Sequence, residues 1–122
     1  MYGGRSGLDR DTALKIAGAF GAGMARTGGT CGAVTGSFMV IGLHHAKTRK
    51  DDDDSRERAY ALGQEFMDAF RERNGSILCR ELLGADVGTP EGMKRVREQD
   101  LFRTVCPKFV KDAAEILERM LA

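Results

Sequence analysis

The sequence predicts an all-α protein, a compact bundle of about five or six helices that forms a single domain over residues 1–122. Three observations support this fold class. Apolar residues recur at spacings of three and four along much of the chain, and no segment shows the sustained alternation that is typical of a strand. The chain contains two prolines, Pro90 and Pro107, and both stand where a helix is expected to begin.

The N-terminal half is expected to form two helices separated by a Gly28-Gly29 break. The first is predicted from about Asp9 to Met24. Its apolar face comprises Ala13, Ile16, Ala17, Phe20 and Met24. The second, from about Cys31 to Lys47 with Thr30 as its cap, is apolar nearly all round, so we expect it to be central and the most buried. Its Gly32-x-x-x-Gly36 face should let another backbone approach closely.

The C-terminal half is predicted to contain four further helices after a charged loop. The expected ranges are Ser55 to about Arg73, Ser76 to Leu83, Pro90 to near Asp100, and Pro107 to Leu121, with Ser55 and Thr89 as candidate caps. The first and last of these carry clear apolar stripes. They comprise Ala59, Leu62, Phe66, Ala69 and Phe70 in one, and Val110, Ala113, Ile116, Leu117, Met120 and Leu121 in the other.

Composition excludes several classes of function. The net charge is +1 with 30% charged residues, which provides no basic surface for nucleic acid and no polybasic membrane patch. No apolar run is long enough to span a bilayer, and the N-terminus has no apolar signal region. If the chain is complete, we therefore expect a cytoplasmic protein whose cysteines are normally reduced.

Each of the three cysteines falls where a helix should begin. Cys31 follows the Gly28-Gly29-Thr30 turn, Cys79 comes three residues after Ser76, and Cys106 directly precedes Pro107. The free N–H groups and partial positive charge of a helix N-terminus stabilise a thiolate, which is the reactive form of cysteine. We therefore expect Cys31, Cys79 and Cys106 to converge as one catalytic thiol site. Cys79 and Cys106 are the preferred disulfide pair, and Cys31 is expected to be the more enclosed sulfur.

The segments around these cysteines resemble a known family. The segments are Gly28 to Leu43 (GGTCGAVTGSFMVIGL), Gly75 to Gly84 (GSILCRELLG) and Val105 to Ala114 (VCPKFVKDAA), preceded by the glycine-rich Ala19 to Met24 (AFGAGM). In this order they are similar to the signature of the C_GCAxxG_C_C family, whose small helical members are classed as redox-active. The resemblance implies thiol–disulfide or electron-transfer chemistry at the cysteines. The electrons would be exchanged with a redox protein partner.

One departure from the family concerns a fourth cysteine. Members usually carry another cysteine in an N-terminal helix, whereas this chain has none before Cys31. Either the chain is natively short or its N-terminus is truncated, and a four-thiolate site within one chain is not expected. The missing helix would leave an apolar face open, so we expect a twofold homodimer.

Two other interpretations of the cysteines stay open. The same three residues could bind a metal such as zinc or iron, or a metallocofactor, or they could be structural residues of an interaction protein. His44 and His45 are the two imidazoles of the chain, but His44 lies about 20 Å from Cys31 if one helix joins them. The spacing of the cysteines matches no zinc-ribbon or ferredoxin pattern, and no C-x-x-C motif is present. We interpret Asp51 to Asp54 as a solvated loop, since it lacks the alternating ligands of a calcium-binding loop.

Overall fold

The structure is a computed structural model that describes residues 9–45 and 53–121, and it confirms the all-α class. Eight helical segments follow one another in the described ranges. They are α1 (Arg10–Ala17), α2 (Gly21–Met24), α3 (Gly32–His45), α4 (Asp53–Asn74), α5 (Cys79–Leu83), α6 (Pro90–Glu98), α7 (Leu101–Thr104) and α8 (Cys106–Met120). Three of them are single turns, and α2 among these has a left-handed backbone at Ala22, Gly23 and Met24. Five longer helices remain. An isolated antiparallel bridge joins Thr30 to Leu78.

The core lies where α3, α4 and α8 pack against one another. At its centre are Phe66 and Phe70 of α4, both fully buried, with their rings stacked at 6.0 Å between centroids. Phe109 of α8 extends this aromatic row, with its ring 6.3 Å from that of Phe70. The other buried apolar residues are Val34, Ile41, Cys79, Leu83, Ala85, Val87, Val96, Ala113, Ile116 and Leu117. The expected stripes of α4 and α8 therefore form the core, with two exceptions. Ala59 lies outside the core cluster, and Val110 is 60% exposed.

A polar network holds α4 to α8 at the edge of this core. Arg73 Nη1 of α4 lies 2.8 Å from Glu115 Oε2 and 3.4 Å from Asp112 Oδ1 of α8. Lys108 Nζ lies 2.8 Å from Asp112 Oδ2 and donates to Asn74 Oδ1 at 2.6 Å. The network fixes the two helices in register above their shared apolar face.

The expected first helix is wrong beyond Ala17. Asp9 caps α1, as its side chain accepts from the N–H of Thr12, but no residue of α1 is buried. The chain then enters a left-handed turn in which Ala22, Gly23, Met24, Ala25 and Arg26 have φ between 52° and 68°. We call residues 22–26 the left-handed turn. Non-glycine residues adopt this conformation at a cost of roughly 1–2 kcal/mol each, so tertiary contacts must compensate.

The central position of α3 is confirmed, but its expected close packing is present at Gly32 and absent at Gly36. It lies against α2, α4 and α8, and it buries Val34, Ser37 and Ile41. Yet a Cβ added at Gly36 would meet no atom within 4 Å, and the same holds for Gly42. A Cβ added at Gly32, by contrast, would lie 3.6 Å from the carbonyl oxygen of Phe20, so another backbone approaches the N-terminal end of this face. Among the described residues the rest of the glycine face is uncovered, and α3 is not enclosed all round.

Several predicted helix starts shift by a few residues. Helix α4, which was predicted to begin at Ser55, begins at Asp53. The hydroxyl of Ser55 donates to the carbonyl of His45. Helix α5 begins at Cys79 rather than Ser76, because the bridge to Thr30 holds the preceding segment extended. The expected C-terminal end of α3 near Lys47 and the charged loop before Asp53 lie outside the described residues. Helix α7 was not expected. None of the described helices is long and apolar enough to cross a membrane.

Candidate functional site

The bridge between Thr30 and Leu78 positions two of the cysteines. The N–H of Cys31 donates to the carbonyl of Ile77 at 2.7 Å, and the N–H of Cys79 donates to the carbonyl of Gly29 at 2.6 Å. Cys31 and Cys79 therefore each follow a residue of the bridge, on chains that run in opposite directions. Helices α3 and α5 leave the bridge from these two points.

This pairing orients the two side chains in the same direction. Residues next to a bridged pair alternate to the opposite face of the ladder, so Cys31 and Cys79 share the face that Thr30 and Leu78 do not use. They are diagonal neighbours, for which the Cα separation in a regular ladder is about 7–8 Å, above the disulfide range of about 4.4–6.8 Å. A disulfide between them would require a small movement of the two segments.

The third cysteine reaches the same place from α8. Cys106 is the first residue of that helix, and Phe102 of α7 precedes it in the same wall. A cavity of about 280 Å³, here called the cysteine cavity, is lined by all three cysteines. Its other lining residues are Ala22, Gly23, Gly32, Ala33, Phe102 and Val110. The structure thus brings the three sequence-predicted site residues together, while their catalytic role stays a prediction.

The expected helix-start positions of the cysteines are confirmed. Cys79 is the first residue of α5 and Cys106 the first of α8. Cys31 directly precedes α3, and its carbonyl accepts from the N–H groups of Val34 and Thr35. Cys31, rather than the expected Thr30, thus occupies the position that precedes the helix.

The expectation that these helix starts lower the thiol pKa values is wrong in its net direction. Burial raises the pKa of all three thiols, because a thiolate loses its hydration in the cavity. For Cys31 the N–H groups of Ala33 and Val34 act in the opposite sense and lower the pKa, but by less than burial raises it. Helix-start amides face the sulfur of Cys31, as the sequence suggested, and desolvation outweighs them.

Cys79 is the most enclosed of the three, contrary to the expectation for Cys31. It is 6% exposed, whereas Cys31 and Cys106 are half-buried. Burial, followed by the charges of Cys31, Cys106 and Asp86, raises the pKa of Cys79 to about 11. At neutral pH this residue is therefore a thiol.

The three thiols also influence one another. A charge on Cys31 raises the pKa of both Cys79 and Cys106, and a charge on Cys106 raises that of Cys79. Ionisation of one sulfur thus opposes ionisation of the others, and the cavity favours a single thiolate at a time. At Cys31 the N–H groups of the helix start stabilise the thiolate.

Sequence reasoning missed several residues of this site. The left-handed turn contributes Ala22 and Gly23, and α7 contributes Phe102. The signal for the turn was present as Gly18, Gly21 and Gly23, which are unfavourable in a helix, but we interpreted it as part of one. Phe102 and Asp86 carried no local signal, because only tertiary packing brings them near the cysteines.

The described residues assemble no group of three His, Cys, Asp or Glu side chains that could hold a metal ion. His44 and His45 lie at the C-terminal end of α3, opposite the end that Cys31 precedes. His44 Nδ1 lies 3.0 Å from the carbonyl of Val40, and Arg58 Nε donates to His45 Nδ1 at 3.4 Å. Zinc or iron binding by the cysteines therefore stays a prediction, and the described residues do not form a set of ligands for it.

The fold and the cavity together define a class: a small all-α protein with three thiols from distant segments at one cavity. The sequence profile of the family described as "Putative redox-active protein (C_GCAxxG_C_C)" matches residues 1–120. The chain belongs to this family, which confirms the resemblance drawn from its cysteine segments. No curated protein and no solved structure matched the chain.

Proposed function

We propose that the cysteine cavity carries out thiol–disulfide exchange, with Cys31 as the attacking sulfur and Cys106 as the resolving sulfur. The observation that carries the proposal is that all three cysteines line one cavity although they come from distant segments. Membership of a family described as redox-active supports the same chemistry. The substrate class is a disulfide of a partner protein.

Cys31 is assigned the first step on the basis of its surroundings. It is half-buried, so a substrate sulfur can reach it, and the N–H groups of Ala33 and Val34 favour its thiolate. The thiolate attacks one sulfur of the partner disulfide R–S–S–R′. A mixed disulfide between Cys31 and R forms, and R′–S⁻ leaves and takes up a proton.

Cys106 is assigned the second step. Once Cys31 is in a mixed disulfide it carries no charge, so one of the two causes that raise the pKa of Cys106 disappears. The Cys106 thiol loses its proton and attacks the sulfur of Cys31, and R–S⁻ leaves and takes up that proton. The partner disulfide is thereby reduced by two electrons and the Cys31–Cys106 pair is oxidised. A dithiol reductant resets the pair by the reverse exchange.

Cys79, which was expected from the sequence to pair with Cys106, is here assigned a tuning role rather than a bond-forming one. Its enclosed position and its pKa of about 11 make it a poor nucleophile at neutral pH. A reducing, cytoplasmic setting in which the resting thiols stay reduced is part of this proposal.

The experiment is a redox titration of protein purified without oxygen. The protein is equilibrated in dithiothreitol buffers of graded potential, alkylated, digested and analysed by mass spectrometry. We expect one disulfide, between Cys31 and Cys106, at a potential near the cytosolic poise of roughly −220 to −320 mV. We expect Cys106→Ser to stop at the mixed disulfide with a small disulfide probe, and Cys31→Ser to form none.

Cys79→Ala is the matched control, because it removes a cavity cysteine that forms no bond in the proposed mechanism. It should retain the Cys31–Cys106 disulfide. If the folded protein forms no disulfide at any potential, the proposed exchange is wrong and the cysteines are structural. Stoichiometric zinc or iron in the purified protein, lost on Cys31→Ser, would support metal binding instead.

A further inference from the structure

The cysteine cavity continues into an apolar groove between α3 and α8. This groove, here called the α3–α8 groove, has a volume of about 340 Å³ and shares Gly32, Ala33 and Val110 with the cysteine cavity. Along α3 it extends to Val40, a distance of about 12 Å at the rise of an α-helix. A ligand lying in the groove would therefore end at the thiols.

The lining of the groove is uncharged. Its walls include Gly36, Val40 and Leu117. The hydroxyl group that lines it, Ser37 Oγ, already donates to the carbonyl of Ala33 at 2.7 Å. Charged low-molecular-weight thiols such as glutathione carry carboxylates and an amine, and the groove offers no ionic partner for them. Complementarity of charge thus favours an apolar occupant.

The groove is also unfilled by the described residues. A Cβ at Gly36 would meet no atom within 4 Å, and Val110 is 60% exposed although it belongs to the apolar stripe of α8. A side chain on the apolar stripe of an amphipathic helix, such as Val110, usually packs against another element. Small residues such as Gly36 allow the backbone of a ligand to approach.

We propose that the α3–α8 groove binds the apolar polypeptide segment that flanks the reacting cysteine of a partner protein. This inference rests on the proposed thiol–disulfide exchange and names its substrate class: an uncharged, apolar protein segment rather than a small charged thiol. Binding in the groove would present the partner sulfur to Cys31, because the groove and the cavity share the first turn of α3.

The test uses Gly36→Leu, which fills the groove without displacing any described atom near the new Cβ. Gly42→Leu is the matched control. Gly42 lies on the same helix and is equally open, but it lines a different groove, against α4, that shares no lining residue with the cysteine cavity. Both substitutions replace a helical glycine, so their effects on helix propensity are alike.

The probes are 4,4′-dithiodipyridine, which is small and uncharged, and two short peptides with a central cysteine activated as a thiopyridyl disulfide. One peptide has alanine and leucine flanks and the other has glutamate flanks. We expect the unsubstituted protein to react about tenfold faster with the apolar peptide than with the acidic one. Gly36→Leu should remove this preference and keep the rate with 4,4′-dithiodipyridine, and Gly42→Leu should keep both.

Equal rates for the two peptides, or a Gly36→Leu protein that still prefers the apolar peptide, would overturn the proposal. A dimer that Gly36→Leu converts to a monomer in light scattering would overturn it as well, because a second copy of the chain would then fill the groove. If the protein fails to react with 4,4′-dithiodipyridine, the proposed exchange chemistry fails. In that case, binding of the two peptides with serine in place of cysteine decides whether the groove still selects apolar segments.

Discussion

The backbone of Gly23 packs directly on the side chain of Cys79: a Cβ added at residue 23 would lie 2.7 Å from Cys79 Cβ. The same added atom would lie 2.5 Å from the backbone nitrogen of Gly29, whose N–H donates to the carbonyl of Gly23 at 2.8 Å. The left-handed turn is therefore one wall of the cysteine cavity, and it explains why Cys79 is the most enclosed thiol.

Gly23→Ala should destabilise the protein strongly. The φ of 68° is unfavourable for alanine, and the contacts below 3.0 Å involve backbone that cannot move aside without disturbing the bridge segment. We expect a loss of roughly 3 kcal/mol or more in the free energy of unfolding, measured by urea denaturation.

Two other glycines serve as controls for this variant. Gly75 has a φ of 85° but open space at its Cβ, so Gly75→Ala should cost only about 1 kcal/mol for the backbone conformation. Gly21 has open space and no positive φ, so Gly21→Ala should be close to neutral. Equal losses for Gly23→Ala and Gly75→Ala would show that contact with Cys79 is unimportant.

The three thiols should differ in their rates of alkylation. Cys79 is enclosed and has a pKa of about 11, which is about two units above its ordinary 9.0, so its thiolate fraction near neutral pH is reduced roughly 100-fold. Treatment of native protein with iodoacetamide, followed by peptide mass spectrometry, should label Cys31 and Cys106 well before Cys79. Rates for all three should increase as the pH is raised, because burial raises each pKa. Early labelling of Cys79 would contradict this.

Stability should fall in alkaline solution through the same group. Between pH 9 and about 11 an unfolded chain ionises Cys79 while the folded protein keeps it protonated, so ionisation favours unfolding. The stabilising contribution is complete below pH 9 and is lost as the pH rises through the folded value. Two pKa units at about 1.4 kcal/mol each amount to about 3 kcal/mol. Urea denaturation at pH 8 and pH 10.5 should show the fall, and Cys79→Ala should show a smaller one.

Asp112 should stabilise the contact between α4 and α8. Its side chain is 13% exposed, and the hydrogen bond and charge of Lys108, with Asn74 and Arg73, hold its pKa below the ordinary 3.8. This contribution is complete above that ordinary value and is lost as the pH falls through the folded pKa. Asp112→Asn should reduce the free energy of unfolding at pH 7 by about 1 kcal/mol, with a smaller difference from wild type at pH 3.

Asp68→Asn is the matched control for Asp112→Asn. Asp68 lies 3.6 Å from Arg71 on the exposed face of α4, and its side chain is 81% exposed. Removal of its charge should change stability by a few tenths of a kcal/mol at most. Equal effects of the two substitutions would mean that the network across α4 and α8 contributes nothing specific.

The sequence predicted the features that depend on neighbouring residues. The stripe that contains Phe66 and Phe70 is buried, as expected from its helical spacing, and all three cysteines mark helix starts. Pro90 begins α6, and Thr89 caps it by accepting from the N–H of Gly92. Capping, turn chemistry and apolar periodicity act within a few residues, so the local sequence is sufficient to predict them.

The features that failed depend on segments far apart in the chain. The sequence marked Gly36 as a packing surface, whereas a Cβ added there would meet no described atom within 4 Å. It also predicted lowered thiol pKa values at the helix starts, whereas burial raises them. How much water a sulfur loses is set by all the elements around it, and no local pattern encodes that.

The sequence by itself determined the all-α class, the family and the identity of the three cysteines. The tertiary structure alone decided that Cys31 and Cys79 share one face of a bridge, that Cys106 joins them, and that the left-handed turn encloses Cys79. The reason is physical: helix periodicity is a property of the local chain, whereas the meeting of remote thiols and their desolvation are properties of the packed whole.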